Sequence, residues 1–338
     1  MNPSRHPYTR SLLMALGMST GIGFTAWPAS AGGAALDQPE CIAPAKPGGG
    51  FDLSCQLAEQ VLRDAHMLRG AWQTRYLPGG IGAVAWQHVQ QRRPADGQAL
   101  VAFSGGSLLN LAQGRFGPYD ARDVRWVASL GIDHGVLAVR RDSPFRSLAD
   151  LMTALQRNSG GVVFGAGGTI GSQDWFKTAL LARAAGISHK ALRFVAFEGG
   201  GDAFSALQGG HVQVVAGDAG EVGQLLAAGA PIRLLAVLSG ERLAGRLAAV
   251  PTAREQGHDL RWPIVRGFYL GPKVSDADYR AWVEAFGHAM AAPGFAARRA
   301  AVGLLGPSLT GADLQAEVER EVARYQRLAR EFGLAPPR

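Results

Sequence analysis

Short apolar runs alternate with longer amphipathic stretches from residue 40 to about residue 238. The runs have the length of buried strands. The stretches carry apolar residues at helical spacing, as Leu53, Leu57 and Val61 do in the first of them. Strands and helices that alternate in this way are typical of α/β proteins. The pattern therefore predicts an α/β fold.

The predicted strands and helices alternate as far as residue 238, and the alternation ends there. The predicted strands cover residues 41–44, 72–77, 99–103, 136–140, 162–165, 193–197, 212–216 and 232–238. The predicted helices cover residues 52–68, a stretch ending near residue 91, and residues 147–156, 172–185, 202–207, 219–228, 276–291 and 311–332. The chain between residues 239 and 275 is predicted to be irregular.

The strand–helix pattern restarts after Pro144, which indicates a second α/β unit. The tail lacks enough strands for a third domain, so we expect it to return to the first. The chain would then cross between two lobes near residues 139 and 238. One lobe would hold residues 32–138 and 239–338, and the other residues 139–238. A cleft between two lobes is a common place for a ligand.

Composition and charge narrow the function classes. The chain has 338 residues, 47% of them hydrophobic and 18% charged, which is a globular composition with room for about two domains. The net charge is +7, but only four of the 34 basic residues are lysines and the arginines are scattered. A nucleic-acid-binding protein would cluster them, so we expect no nucleic acid partner. A modest positive excess suits a small anionic ligand.

Residues 1–31 have the features of a secretory signal peptide. Arg5 and Arg10 precede an uncharged, largely apolar stretch, and Ala29-Ser30-Ala31 offers a cleavage site. The alternative is a retained membrane anchor, but the apolar stretch is short and contains glycines. We therefore expect cleavage near Ala31 and a periplasmic mature protein.

Glycine clusters follow the predicted strands. In open α/β sheets such junctions face one crevice, where helix N-termini present free N–H groups and glycine lets an anion approach them. The alternative is that the glycines serve close packing. In the first cluster we expect Asp52 to be the helix N-cap. The clusters are Gly48-Gly49-Gly50, Gly79-Gly80, Gly105-Gly106, Gly165-Ala166-Gly167-Gly168 and Gly199-Gly200-Gly201.

Catalytic and metal-binding motifs are not found in the sequence. It has no G-x-S-x-G motif, no phosphate-binding lysine loop, no dinucleotide-binding spacing and no histidines at metal-ligand spacing. We therefore expect that the protein is not an enzyme and that it binds neither a cofactor nor a metal. Cys41 and Cys55 either form a disulfide, which an exported protein permits, or lie buried as thiols.

Four motifs together resemble one family. CIAPAKPGGGFDLSC, YLPGGIGAV, FEGGGDAFSALQGGHVQV and VPTAREQG are similar, in this order, to segments of the solute-binding receptors of tripartite tricarboxylate transporters, the Bug receptors. The PAKPGGGFDLSC form looks most like the tricarboxylate-binding branch. The resemblance implies a two-lobed periplasmic-binding-protein fold of type II. It also implies a carboxylate solute such as citrate and a two-component membrane permease as partner. We expect the protein to be a monomer.

The resemblance also implies the binding residues. Two carboxylate loops would hold the solute, with support from other glycine junctions and from Asp218. The implied residues are Pro47, Gly48, Gly49, Gly50, Phe51 and Asp52 in the first loop, Gly167, Gly168, Thr169 and Ser172 in the second, and Gly79, Gly80, Ser104, Gly105, Ser107, Gly200, Gly201 and Asp218 around them. Charge matching to a carboxylate adds Arg266, for which the alternative is a surface arginine beside Trp262.

Two other functions fit parts of the sequence. A receptor of this kind could present its carboxylate to a membrane sensor kinase, and neighbouring permease genes would argue against that. An exported enzyme of carboxylate metabolism would use the same cleft, but would need a nucleophile, a metal set or an acid–base pair. The sequence does not name the solute.

Overall fold

The computed structural model of the protein describes Leu36 and residues 38–334, and the predicted signal peptide lies outside this range. The strands are β1 (Glu40–Ala43), β2 (Gln73–Tyr76), β3 (Ala99–Ser104), β4 (Arg125–His134), β5 (Val136–Arg140), β6 (Val163–Gly167), β7 (Arg193–Phe197), β8 (Val214–Val215), β9 (Ile232–Val237), β10 (Pro263–Leu270) and β11 (Leu309–Thr310). The helices are α1 (Gly50–Asp64), α2 (Ala83–Gln91), α3 (Gly105–Ala112), α4 (Leu148–Arg157), α5 (Gln173–Ala184), α6 (Gly200–Gln208), α7 (Ala219–Ala227), α8 (Asp276–Ala291), α9 (Phe295–Ala301) and α10 (Gly311–Glu331).

The strands form two mixed sheets. The six-stranded sheet has the order β11-β4-β10-β3-β1-β2, and the five-stranded sheet has the order β7-β6-β8-β5-β9. In the first, β1 pairs in parallel with β2 and β3, while β10 runs antiparallel to β3 and β4. In the second, β6 pairs in parallel with β7 and β8, and β5 is antiparallel to β8 and β9. The α/β architecture with a lobe around each sheet agrees with the sequence prediction.

The chain passes from the first sheet to the second at Gly135, between β4 and β5, and returns after β9. The tail then adds β10 to the middle of the first sheet, where it pairs with strands on both sides. The exact lobe limits at residues 138 and 239 stay a prediction.

Strands β4 and β10 are missing from the sequence prediction. It left residues 125–134 unassigned and described residues 263–270 as irregular chain. Both strands are almost entirely buried, yet each carries a charged residue, Asp133 in β4 and Arg266 in β10. Arg266 interrupts the apolar run of β10, so the pattern that marks a central strand was lost there. Asp133 lies near the end of β4 and does not account for the missing prediction of that strand. Helices α3 and α9 and the short strand β11 were also not predicted.

A disulfide joins Cys41 of β1 to Cys55 of α1, with the two Cα atoms 5.8 Å apart. Both residues are fully buried in the core beside the first sheet. The crosslink ties the first strand to the helix that follows it. The loop between them is therefore anchored at both ends.

Among the described residues, no helix is both long enough and apolar enough to cross a membrane.

Candidate ligand-binding cleft

A cleft of about 370 Å³ lies between loops that follow strands of the two sheets. The first sheet contributes the loop after β1, the turn after β2, the end of β3 and one residue of β10. The second sheet contributes the end of β6 and the N-terminal parts of α5, α6 and α7. The lining residues are Pro44, Ala45, Lys46, Pro47, Gly48, Gly49, Gly50, Phe51, Pro78, Gly79, Ile81, Ser104, Gly167, Gln173, Asp174, Glu198, Gly199, Gly200, Gly201, Asp202, Ser205, Asp218, Glu221, Leu225 and Arg266.

The cleft brings together many of the residues that the sequence singled out, but not all of them. The predicted residues on its surface are Pro47, Gly48, Gly49, Gly50, Phe51, Gly79, Ser104, Gly167, Gly200, Gly201, Asp218 and Arg266. The predicted residues that do not line it are Asp52, Gly80, Gly105, Ser107, Gly168, Thr169 and Ser172.

Helix α1 begins earlier than the sequence indicated. Its N-cap is Gly49, so the expectation that Asp52 caps the helix is wrong. Asp52 lies in the first turn, where its Oδ2 accepts a hydrogen bond from Gly48 N at 2.8 Å and its Oδ1 accepts one from the Tyr76 hydroxyl at 2.9 Å. The carboxylate therefore stabilises the glycine loop from behind.

In the second predicted loop, the two hydroxyls serve the protein's own structure. Ser172 caps α5 and accepts a hydrogen bond from Trp175 N at 3.3 Å. Thr169 Oγ1 accepts one from Arg115 at 3.3 Å. Neither residue lines the cleft. The N-terminus of the second sheet's α6, at Gly200 and Gly201, lies there instead.

The junction after β3 is closed by a capping box. Ser104 Oγ accepts a hydrogen bond from Gly106 N at 3.2 Å, and Ser107 Oγ accepts one from Ser104 N at 3.4 Å. These contacts satisfy the first amides of α3. Only Ser104 of this junction reaches the cleft surface.

Arg266 forms the centre of a buried ion-pair network beneath the cleft. It is 3% exposed, so the surface alternative for this residue is wrong. Its Nη2 lies 2.6 Å from Asp133 Oδ2, on the first sheet, and 2.7 Å from Asp218 Oδ2, at the N-cap of α7. A Cβ at Gly50 would lie 2.3 Å from Arg266 Nη1, so only glycine fits there.

The network continues through Lys177 of α5. Its Nζ lies 2.7 Å from Asp218 Oδ1, 2.7 Å from Asp174 Oδ1 and 2.7 Å from the carbonyl oxygen of Gly217. Asp174 Oδ2 in turn accepts a hydrogen bond from Gly167 N at 2.8 Å. The cations and carboxylates thus alternate across the floor of the cleft and connect the two sheets.

The carboxyl groups of this network do not share one charge state. Burial raises the pKa of Asp174 to about 6 and, together with the negative charge of Asp218, raises that of Glu221 to about 8. Burial also opposes the charge of Asp218, but Lys177 and Arg266 hold its pKa below the usual value. At neutral pH, Glu221 therefore carries a proton while Asp218 is ionised.

Lys46 connects the two sides at the exposed mouth of the cleft. Its Nζ lies 3.0 Å from Glu198 Oε2 and 3.2 Å from Asp202 Oδ2, across from the first glycine loop. These carboxylates raise the pKa of Lys46, so it stays charged. The contact bridges the mouth between the loop after β1 and the start of α6.

The sequence analysis did not identify several charged residues of the cleft and of the ion-pair network beneath it. Asp133, Lys177 and Glu221 stand singly among apolar neighbours, and no spacing rule joins them because their partners lie on other elements. The one available signal was an isolated charge inside an apolar run, which is rare without a buried partner. Within the described part of the chain, no group of His, Cys, Asp and Glu residues is arranged to hold a metal ion.

The two sheets and the cleft between them form a two-lobed fold of the periplasmic-binding-protein class, and solved structures share this fold. One is R. palustris Rpa4515 with adipate, with a TM-score of 0.77, 22% identity, and coverage of 92% of this chain and 100% of that one. Another is MatC (Rpa3494) from Rhodopseudomonas palustris with bound malate, with a TM-score of 0.73, 20% identity, and coverage of 86% and 98%.

The family model for the tripartite tricarboxylate transporter family receptor matches residues 75–334. The chain belongs to this family, as the motifs predicted. A curated relative, the UPF0065 protein in the tcbD-tcbE intergenic region of Pseudomonas sp. (strain P51), is 26% identical over 215 residues. That match covers 63% of this chain and 61% of the relative.

Proposed function

We propose that the protein is a periplasmic receptor that captures a small carboxylate in the cleft and delivers it to the two-component membrane permease of a tripartite transporter. The family supports binding and transport rather than catalysis. The predicted signal peptide agrees with a periplasmic location. A tricarboxylate such as citrate is the solute that the sequence resemblance favours, and the adipate and malate of the two similar structures support the wider class of small carboxylates.

The observation that carries this proposal is the position of two helix N-termini, one from each sheet, on the same cleft. Among the described residues, no acceptor takes the N–H groups of Phe51 in α1 or of Gly200 and Gly201 in α6. Such groups carry the positive end of the helix dipole and favour an anion. A carboxylate between the helices would contact both lobes and hold them together.

Few contacts suffice for the expected affinity. A micromolar dissociation constant corresponds to about 8 kcal/mol. Charge-assisted hydrogen bonds contribute about 1.5–3 kcal/mol each, so several amides can supply this after the cost of ordering. The open amides of the two helices can form such bonds.

A thermal-shift and calorimetric screen of small carboxylates tests the proposal. A solute at 100 times its dissociation constant raises the free energy of unfolding by about 2.7 kcal/mol, which is a clear shift. Gly49→Val is the site variant. The added Cβ has no atom nearer than 3.5 Å, so the fold tolerates it while the side chain narrows the cleft.

The matched control is Gly287→Val on the exposed face of α8. We expect Gly49→Val to weaken carboxylate binding by about tenfold or more, because it blocks approach to the first helix, whereas the control leaves binding unchanged. Equal affinity in both variants, or no carboxylate that shifts the unfolding of the unsubstituted protein, would contradict the proposal.

A further inference from the structure

Glu221 is the acid of the cleft lining that no cation pairs. No described lysine, arginine or histidine lies within ion-pair distance of it, although it is only 9% exposed. Its Oε1 accepts a hydrogen bond from Gly50 N at 2.8 Å, and its Oε2 accepts none from a described residue. Glu221 and Gly200 both line the cleft, and a Cβ at Gly200 would lie 2.0 Å from Oε2. The free oxygen of this carboxyl group therefore lies beside the N-terminus of α6.

The positive charge that remains in the cleft for a solute is small. Lys46 and Arg266 both line the cleft, and each already contacts two carboxylates of the protein. The N-termini of α1 and α6 add about half a positive charge each, which is enough for one carboxylate. An ionised Glu221 would compete with the solute for these helix ends, because two ionised carboxylates side by side repel each other.

The surroundings of Glu221 favour its neutral form. The other charged side chains of the cleft and of the network beneath it are Lys46, Asp133, Asp174, Lys177, Glu198, Asp202, Asp218 and Arg266. Burial raises the pKa of Glu221 most, Asp218 and Asp174 raise it further, and Arg266 of β10 opposes them. The result is a pKa of about 8 against an ordinary value of 4.5, so the carboxyl group of the empty cleft is mainly protonated at pH 7.

We propose that Glu221 is a solute-binding residue that carries a proton on Oε2 and donates it in a hydrogen bond to the solute's carboxylate. This assignment rests on the proposed function. The solute's carboxylate takes the open amides of α1 and α6 together with the Oε2–H group, while Oε1 keeps its hydrogen bond from Gly50 N. Hydrogen bonds to an ionised acceptor are stronger than those between neutral groups. The proton stays on Glu221, so the solute binds as its anion.

This role makes solute affinity depend on pH. The negative charge of a bound carboxylate raises the pKa of Glu221 above its value of about 8 in the empty cleft. The occupied cleft then holds more protons than the empty one, so affinity falls as pH rises through about 8. Simple carboxylates are already ionised above pH 7, so the solute itself does not cause this change.

The experiment is calorimetric titration of the mature protein with malate, succinate, adipate and citrate from pH 7 to pH 9.5. Each titration is run in two buffers of different ionisation enthalpy, which counts the protons exchanged. For the solute that binds most tightly at pH 7, we expect affinity to be about tenfold or more lower at pH 9.5. We also expect uptake of about half a proton per solute at pH 8, because half of the empty protein is then ionised at Glu221.

Two variants separate the donor from the charge. Glu221→Gln keeps an acceptor for Gly50 N and a donor for the solute but cannot ionise, so we expect affinity near that of the unsubstituted protein at pH 7 and no fall to pH 9.5. Glu221→Met has a similar length without the donor, and we expect about tenfold weaker binding at pH 7. The control Glu284→Gln, on the exposed surface of α8, keeps the original pH dependence.

The outcomes distinguish failure of this role from failure of the proposed function. Carboxylate binding that is equally tight at pH 7 and pH 9.5, or that releases protons, would overturn the role of Glu221 and leave carboxylate binding intact. A Glu221→Gln protein that keeps the pH dependence would also overturn it, as would one that binds no better than Glu221→Met at pH 7. If none of the solutes binds at any pH, the proposed function fails as well.

Discussion

At the scale of single residues, Glu221 couples stability to pH. Its pKa is about 8 in the folded protein against an ordinary value of 4.5. The folded state therefore binds more protons between these values, and this group's contribution to stability, present below about pH 4.5, is lost as pH rises to about 8. We expect Glu221→Gln to gain stability relative to the unsubstituted protein between pH 5 and pH 8. Chemical denaturation across this range measures the free energy of unfolding of both proteins. A difference between them that stays constant with pH would contradict the raised pKa of Glu221.

Arg266 differs from Glu221 in being paired, because Asp133 and Asp218 compensate its buried charge. Arg266→Met leaves these buried carboxylates short of a partner, and we expect a loss of about 3–5 kcal/mol in the free energy of unfolding. The control Arg261→Met breaks an exposed pair with Asp259 and should cost under about 1 kcal/mol. Denaturant titration compares them, and equal losses would show that Arg266 is not structural.

At the scale of elements, the Cys41–Cys55 disulfide holds β1 and α1 together across a separation of 14 residues. Closing a loop of this length is worth about 3 kcal/mol in the chain-entropy model. We therefore expect the double variant Cys41→Ala/Cys55→Ala to unfold at lower denaturant concentration by about that free energy. The same measurement on the reduced, unsubstituted protein should agree with the variant. A variant as stable as the oxidised protein would show that the crosslink does not reduce the conformational entropy of the unfolded chain.

The elements also show how far the sequence could predict the fold and the cleft. Regular apolar runs gave every strand of the second sheet to within a few residues. Strand β10 was lost because Arg266 interrupts its apolar pattern, whereas in β4 Asp133 lies near the end of the strand and interrupts nothing. A sequence read locally cannot pair residues that lie so far apart along the chain.

The glycine junctions show a similar limit. Their positions at the ends of strands were predictable, but the side chains that already occupy some of their amides were not. Gly167 N donates to Asp174, which lies in the first turn of α5. Gly50 N donates to Glu221, which lies on α7, far along the chain. On the side of the second sheet, the open amides that face the cleft are those of Gly200 and Gly201, because the loop with Thr169 does not line it. Glycine spacing predicts where a site forms, and tertiary contacts decide which amides stay free.

At the scale of the whole molecule, Lys46 bridges the mouth of the cleft to Glu198 and Asp202. We expect this contact to slow solute release, because opening the cleft breaks it. Lys46→Met should speed dissociation at low salt, and the difference should shrink at high salt, since exposed charges are screened. Stopped-flow release of the bound solute measures both. An unchanged rate at low salt would show that the bridge does not hold the cleft closed.

The account depends on one solute being held by helices from both lobes. Hydrogen–deuterium exchange, with and without the carboxylate that gives the largest thermal shift, measures this directly. We expect slower exchange in peptides that cover residues 45–53 and residues 198–205 together, and no change at residues 295–301. Protection of only one of the two cleft segments, or of neither, would contradict the account.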